Sequence, residues 1–182
     1  MTLFANKGFK GATTRSIAKS AGVSEAIIFR HFATKEDLYD AIIEYTVEKR
    51  LVQWDQEVTP GDNQDLRMML KEYAESFISR NKQDPTFIRL MMYSSLEDHK
   101  FREKFIQINR SSGLRAIRKE LERGIQEGQY RPVDPRLTLL SFFGTLLQYC
   151  TSRFVARSRP DQDEAVINNL IDVFLNGIQA VS

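Results

Sequence analysis

The sequence predicts an all-α protein with an N-terminal three-helix domain over residues 1–45 and a larger helical domain over 46–182. Three observations carry this. Apolar residues recur at helical spacing along nearly the whole chain. No alternating run of β-branched residues bounded by turn signals is long enough to argue for a sheet. Capping residues and breakers punctuate the pattern at helix-length intervals. A hydrophobic fraction of 42% against 27% charged residues excludes disorder as the main state.

The first punctuated segment opens with Thr13 or Thr14 as a cap, carries Ile17 and Ala18 on its apolar side and stops at Gly22, the residue type suited to a left-handed turn. Ser24 caps a second short helix, Glu25–His31, closed by Phe32 and Ala33. Thr34, with Asp37 three residues later, starts a third. That helix is expected to reach about Trp54, with Leu38, Ala41, Ile42, Tyr45 and Val52 on one stripe, before the breakers Thr59, Pro60, Gly61 and Asp62. Leu66, Met69, Leu70, Tyr73 and Phe77 mark the next helix. Asp84 and Pro85 open another, with Phe87, Ile88, Met91, Met92 and Ser95 on its apolar side. A stripe of about 25 residues through Phe101, Phe105, Ile108, Leu114, Ile117, Leu121 and Ile125 ends at Gly128. Asp134 and Pro135 precede an uncharged helix, and a last helix after Pro160 and Asp161 carries Val166, Leu170, Ile171, Phe174 and Ile178.

Composition narrows the function. The single cysteine, Cys150, builds no disulfide framework, and with only His31 and His99 beside it no zinc cluster can be drawn, so no metal or cofactor is expected. The longest uncharged stretch, Leu137–Ser152, is 16 residues, short of the roughly 20 of a membrane helix, so no membrane partner is expected. No secretory leader opens the chain, and the expected location is cytoplasmic. An enzyme finds little support: there is no nucleophile elbow, no phosphate-cradling glycine loop, and only two histidines are present to act as bases near neutral pH.

Charge is informative once divided. The net +2 conceals six basic side chains in residues 1–35 (Lys7, Lys10, Arg15, Lys19, Arg30 and Lys35) against one acid, Glu25. The remaining residues hold 20 basic and 23 acidic groups, so only the N-terminal part suits a polyanion. There the two short helices joined at Ala21-Gly22-Val23-Ser24 have the spacing of a helix-turn-helix, whose second helix fits a major groove about 12 Å wide. Ile28 and Phe32 supply its inward side, leaving Glu25, Ala26, Ile27, Phe29 and Arg30 for the outer faces. Spacing alone also fits a hairpin kept for packing in a helical bundle.

The residues themselves favour the first reading. The run Phe4-Ala5-Asn6-Lys7-Gly8-Phe9-Lys10-Gly11-Ala12-Thr13-Thr14-Arg15-Ser16-Ile17-Ala18, then Ala21-Gly22-Val23-Ser24 and Ile28-Phe29-Arg30-His31-Phe32-Ala33-Thr34-Lys35-Glu36-Asp37-Leu38, resembles the TetR family of bacterial repressors over about residues 3–45. The resemblance implies that Thr14 and Arg15 approach DNA from the bracing helix. It also implies that Ser24, Glu25, Ala26 and Ile27 open the recognition helix, that Phe29, Arg30 and His31 lie against backbone or groove, and that Lys35 meets a phosphate. Two departures stand out. Phe29 occupies a position where the family usually has tyrosine, so one phosphate donor is missing or replaced by Arg30. The family's first helix normally begins about ten residues earlier, so either the beginning is absent here or that helix is unusually short.

For the larger domain the resemblance implies a small-molecule effector and dimerisation. Flexible methionines among phenyl rings make an adaptable apolar lining, and the family places its pocket among the fourth to eighth helices. Met69, Tyr73, Phe77, Phe87, Met91 and Phe105 are the candidate lining residues, with Gln148 and Arg89 as polar anchors and a lipophilic effector expected. The uncharged helix needs covering on every face, which a chain of this size supplies poorly. Leu137, Leu140, Gly144, Leu147, Leu170 and Phe174 are therefore the expected homodimer contacts, in a four-helix bundle across a two-fold axis. The function expected is a ligand-responsive, operator-binding repressor. The competing expectation is a helical interaction or small-molecule-binding protein without sequence-specific DNA binding.

Overall fold

The structure, a computed structural model, describes residues 1–57 (54–57 by their backbone), 64–97, 112–156 and 162–179. Its elements are α1 (Thr2–Gly11), α2 (Thr14–Ala21), α3 (Glu25–His31), α4 (Lys35–Glu57), α5 (Leu66–Gln83), α6 (Thr86–Leu96), α7 (Ser112–Gln126), α8 (Pro135–Cys150), one π-helical turn (Thr151–Val155) and α9 (Asp163–Ile178). No strand occurs among the described residues; the one β-type pairing is an isolated bridge between Tyr130 and Gln179. The protein is all-α, as expected, and its packing sorts into two compact units. The first takes residues 1–51 and the described part of 86–108; the second takes 52–85 and the described parts of 109–182. The breakers at 59–62, the stripe residues Phe101, Phe105 and Ile108, His99, and the opening at Pro160 and Asp161 lie outside the described residues.

In the first unit the short-range signals act as anticipated. Thr13 accepts from the Ser16 N–H while Ser16 Oγ accepts from the Thr13 N–H, a reciprocal cap that starts α2. Gly22, at φ 69° and ψ 26°, ends it in a left-handed conformation. Ser24 caps α3, and Thr34 and Asp37 exchange backbone-to-side-chain hydrogen bonds at 3.0 and 3.1 Å to start α4.

α1 is short, ten residues, and broken at Gly8 (φ 69°, ψ −179°). The break is stitched by α6. Glu97 accepts from the N–H groups of Phe9 (2.8 Å) and Lys10 (3.3 Å), capping the restarted turn, while Arg89 Nε donates to the Ala5 carbonyl (2.9 Å) and the Tyr93 hydroxyl to the Asn6 carbonyl (3.3 Å). Arg89, a polar ligand anchor on the sequence reading, thus braces α1 instead. The rings of Phe4, Phe9 and Tyr39 cluster with centroids 4.8 to 6.3 Å apart.

That cluster corrects the expected stripe of α4. Tyr39, Ile43 and Val47 are buried with Leu38, joined by Thr46 and Arg50, whereas Tyr45 and Val52 are more than half exposed. The helix is rolled so that Tyr39 meets Phe4 and Phe9 and the Arg50 guanidinium lies over the Phe87 ring at 4.8 Å. On α6, likewise, Ser94 is buried and Ser95 is exposed, the reverse of the expected register.

In the second unit α5 buries Leu66, Met69, Leu70, Tyr73 and Phe77, as its spacing predicts. It packs against α7, α8 and α9. α7 buries Leu114, Ile117 and Leu121 and gives way to Gly128 at φ 74°. Asp134 caps α8 through the Leu137 N–H at 2.9 Å, with Pro135 at the first position. Its buried stripe is Leu139, Phe142, Leu146 and Cys150; that of α9 is Ile167, Ile171, Leu175 and Ile178. Phe142 meets Phe174 edge to face at 5.2 Å, joining the two helices.

Candidate nucleic-acid interface

α3 lies across the three-residue turn Gly22-Val23-Ser24 from α2 and packs against it, with Ile28 the one buried residue of α3. Its other faces are open. Ser24, Ala26, Arg30 and His31 are exposed, and Ile27 and Phe29 retain 45% and 47% of their accessible surface. Phe32 is half-buried at the C-cap. Two large apolar side chains facing water on a seven-residue helix are a poor arrangement for a fold and a usable one for a groove that offers thymine methyls.

The basic residues are presented on the same unit. Arg15 on α2 and Arg30 on α3 are exposed. Lys35 is half-buried, its Nζ 4.1 Å over the Phe9 ring, so its ammonium is positioned by a cation–π contact at the start of α4. His31 is exposed, so its ring is not part of the aromatic cluster of Phe4, Phe9 and Tyr39. Thr14 and Glu25, both assigned to DNA on resemblance, bond to each other: the Thr14 hydroxyl donates to Glu25 Oε2 at 2.9 Å. Sequence reasoning did not see that bond, nor the support that Glu97, Arg89 and Tyr93 give to α1. A glycine inside an apolar segment was the available hint of a break at residue 8.

The candidate effector residues divide between the units. Met69, Tyr73 and Phe77 are buried in the second, where the Tyr73 ring lies 6.0 Å from Phe77 and 4.7 Å from Phe143; Phe87 and Met91 are buried in the first. Gln148 is exposed and donates to Ser152 Oγ at 3.3 Å. Phe105 lies outside the described residues. Of the candidate dimer residues, Leu137 and Leu140 are 50% and 56% exposed, and a Cβ on Gly144 would meet nothing within 4 Å. Leu147, Leu170 and Phe174 are half-buried. Beside them, burial pushes the Cys150 thiol up to about 12, which keeps it protonated. No described helix is long and apolar enough to cross a membrane.

A capped helix-turn-helix with an outward second helix and basic flanks, in a chain otherwise made of packed helices, defines a helix-turn-helix transcriptional regulator. Comparison with known proteins specifies it further. A profile of the bacterial regulatory proteins of the tetR family matches residues 1–42. The HTH-type transcriptional repressor AcnR of Corynebacterium glutamicum is 30% identical over 153 residues, spanning 82% of this chain and 74% of that protein. The chain belongs to the tetR family. The nucleoid occlusion factor SlmA of Vibrio cholerae is 28% identical over 159 residues, 84% of this chain and 78% of that one. Among solved structures, a TetR family transcription regulator from Marinobacter aquaeolei superposes with a TM-score of 0.77 at 20% identity, covering 99% of this chain and 91% of that one. The regulator FadR from Bacillus subtilis in complex with stearoyl-CoA superposes with a TM-score of 0.71 at 20% identity, covering 98% and 95%.

Proposed function

We propose that this chain is a homodimeric repressor that binds a palindromic operator through residues 1–45 and releases it when a lipophilic effector occupies the domain spanning 46–182. The observation that carries the reading is the exposure of Ala26, Ile27, Phe29 and Arg30 on a helix whose only buried residue is Ile28, set among cations. Arg15, Arg30 and Lys35 supply phosphate or base contacts, Ser24, Glu25, Ala26 and Ile27 enter the groove, and His31 faces the backbone. Recognition helices in the dimer lie about 34 Å apart, one turn of the duplex, so each reads one half-site.

Dimerisation is supported by Leu137, Leu140 and Gly144, which leave an apolar face of α8 uncovered beside the half-buried Leu147, Leu170 and Phe174. A lipophilic effector is supported by the methionine and aromatic content around Met69, Tyr73 and Phe77 and by the stearoyl-CoA held by the FadR relative. The effector acts only to the extent that it binds the released state more tightly; a tenfold preference shifts the equilibrium by about 1.4 kcal/mol. The place of action is the cytoplasm, where the operator is.

The test is selection of duplexes from a random pool, followed by titration of the enriched sequence against salt. Arg15→Ala is expected to lower operator affinity roughly tenfold or more, with an unchanged elution volume on gel filtration. Enrichment of no sequence, or a salt slope near zero, refutes the proposal.

A further inference from the structure

We infer that Glu25, held in place by Thr14, is the residue that fixes a cytosine in each operator half-site. The inference rests on the regulator reading above and goes beyond it by naming the base.

Glu25 is the sole carboxylate in the first 35 residues. A carboxylate there lowers attraction to phosphate, so its place in a DNA-facing surface calls for a donor to meet it. The Thr14 hydroxyl, across the turn on α2, donates to Oε2 at 2.9 Å. That bond fixes one oxygen of a side chain that otherwise has three free torsions. It leaves the remaining lone pairs of the carboxylate to accept, and an ionised carboxylate has nothing to donate.

The neighbours of Glu25 sharpen the argument. Ala26 and Ile27 are exposed and carry no hydrogen-bonding side chain. Ser24 Oγ accepts from the Ile27 N–H at 3.4 Å and keeps its hydroxyl proton, which is suited to a base acceptor. Among residues 24–27, the end of α3 that enters a groove first, Glu25 is therefore the acceptor-only side chain, the one that calls for a donor on the base edge. In the major groove only two bases present donors, the N4 amino group of cytosine and the N6 amino group of adenine. Adenine places its N7 acceptor next to that donor, which repels a carboxylate; guanine and thymine present acceptors alone on that edge. Cytosine is the base that an acceptor-only side chain selects. Ala26 and Ile27, the next two residues, are exposed and offer methyl groups suited to thymine.

The experiment is selection from a random duplex pool with the full-length protein, run in parallel for wild type, Glu25→Gln and Thr14→Val, each checked for helicity and elution volume. Wild type is expected to fix a C·G pair at one position of each half-site, where any other pair lowers affinity on the order of 10- to 100-fold. Glu25→Gln is expected to move that position to A·T, because an amide donates to N7 while accepting from N6. Thr14→Val is expected to keep cytosine but to lose several-fold in discrimination, the mark of a positioning residue. Identical base frequencies for wild type and Glu25→Gln, or a wild-type site with no fixed cytosine, overturn the assignment while leaving an operator-binding protein. Enrichment of nothing by any of the three overturns the regulator reading itself.

Discussion

Alanine at residue 8 meets two separate penalties, and their sizes can be worked from the structure. At φ 69° and ψ −179° Gly8 occupies a region that is open essentially to glycine, where any side chain costs about 1–3 kcal/mol. An added Cβ would also stand 2.7 Å from Tyr93 Cδ1 and 3.0 Å from Glu97 Oε1. Neither neighbour is free to retreat. The Tyr93 hydroxyl is bonded to the Asn6 carbonyl and the Glu97 carboxylate to two N–H groups. Overpacking of this kind costs about 1–3 kcal/mol, so Gly8→Ala is expected to destabilise the protein by about 2–6 kcal/mol. Gly22 is the internal control. It too has a φ of 69°, but nothing lies within 4 Å of its missing Cβ, so Gly22→Ala carries the backbone penalty alone, about 1–2 kcal/mol. The assay is urea unfolding followed by circular dichroism at one fixed protein concentration, since the proposed dimerisation would make stability concentration-dependent. Loss of stability in Gly8→Ala no greater than in Gly22→Ala would refute the stitching of α1 to α6.

Two further outcomes are expected. Leu140→Glu places a charge on the uncovered face of α8, 56% exposed in the single chain, so it should leave helicity intact and convert the proposed dimer to a monomer on analytical ultracentrifugation; a surviving dimer removes that face from the interface. Asp163 titrates below the ordinary carboxylate value: burial pushes it up, but hydrogen bonds from Tyr149 (2.7 Å) and Lys82 (3.2 Å) and the charges of Lys82 and Arg153 more than offset this. A folded pKa below the unfolded one adds stability that is fully present above the unfolded carboxylate value of about 3.9 and is lost as pH falls through the folded value. Tyr149→Phe should therefore cost progressively less stability as pH falls from 7 through the acidic range in which Asp163 takes up its proton, and a loss that does not change with pH would show that the hydrogen bond does not set the titration.

What the sequence made legible is what acts over three or four residues. Thr13, Gly22, Ser24 and the Thr34–Asp37 pair place the boundaries of α2, α3 and α4 because each satisfies or ends a helix through its own neighbours. The buried face of α5 was legible for the same reason, being apolar at strict helical spacing. The face of α4 was not. Tyr45 and Val52 read as core by type, yet roll is decided by Tyr39 meeting two rings of α1 and by Arg50 lying over Phe87, neither of which is written in the spacing of α4. In the candidate site, exposure of Ile27 and Phe29 follows from Ile28 taking the inward position, whereas the Thr14–Glu25 bond joins residues 11 apart and depends on how the turn sets α2 against α3. The bonds from α6 to α1 span 84 to 88 residues and leave no local trace.

The reliance of α1 on α6 limits where this polypeptide can be cut. A fragment stopping at residue 51 contains every side chain assigned to the groove, but it has lost the segment that bonds to the Ala5 and Asn6 carbonyls and satisfies the amides released at Gly8. The reading head is assembled from two stretches of chain with α5 between them, so it cannot be moved to another protein as a continuous cassette. A chimera that preserves it must carry residues 86–97 along with it, so that Glu97 is included.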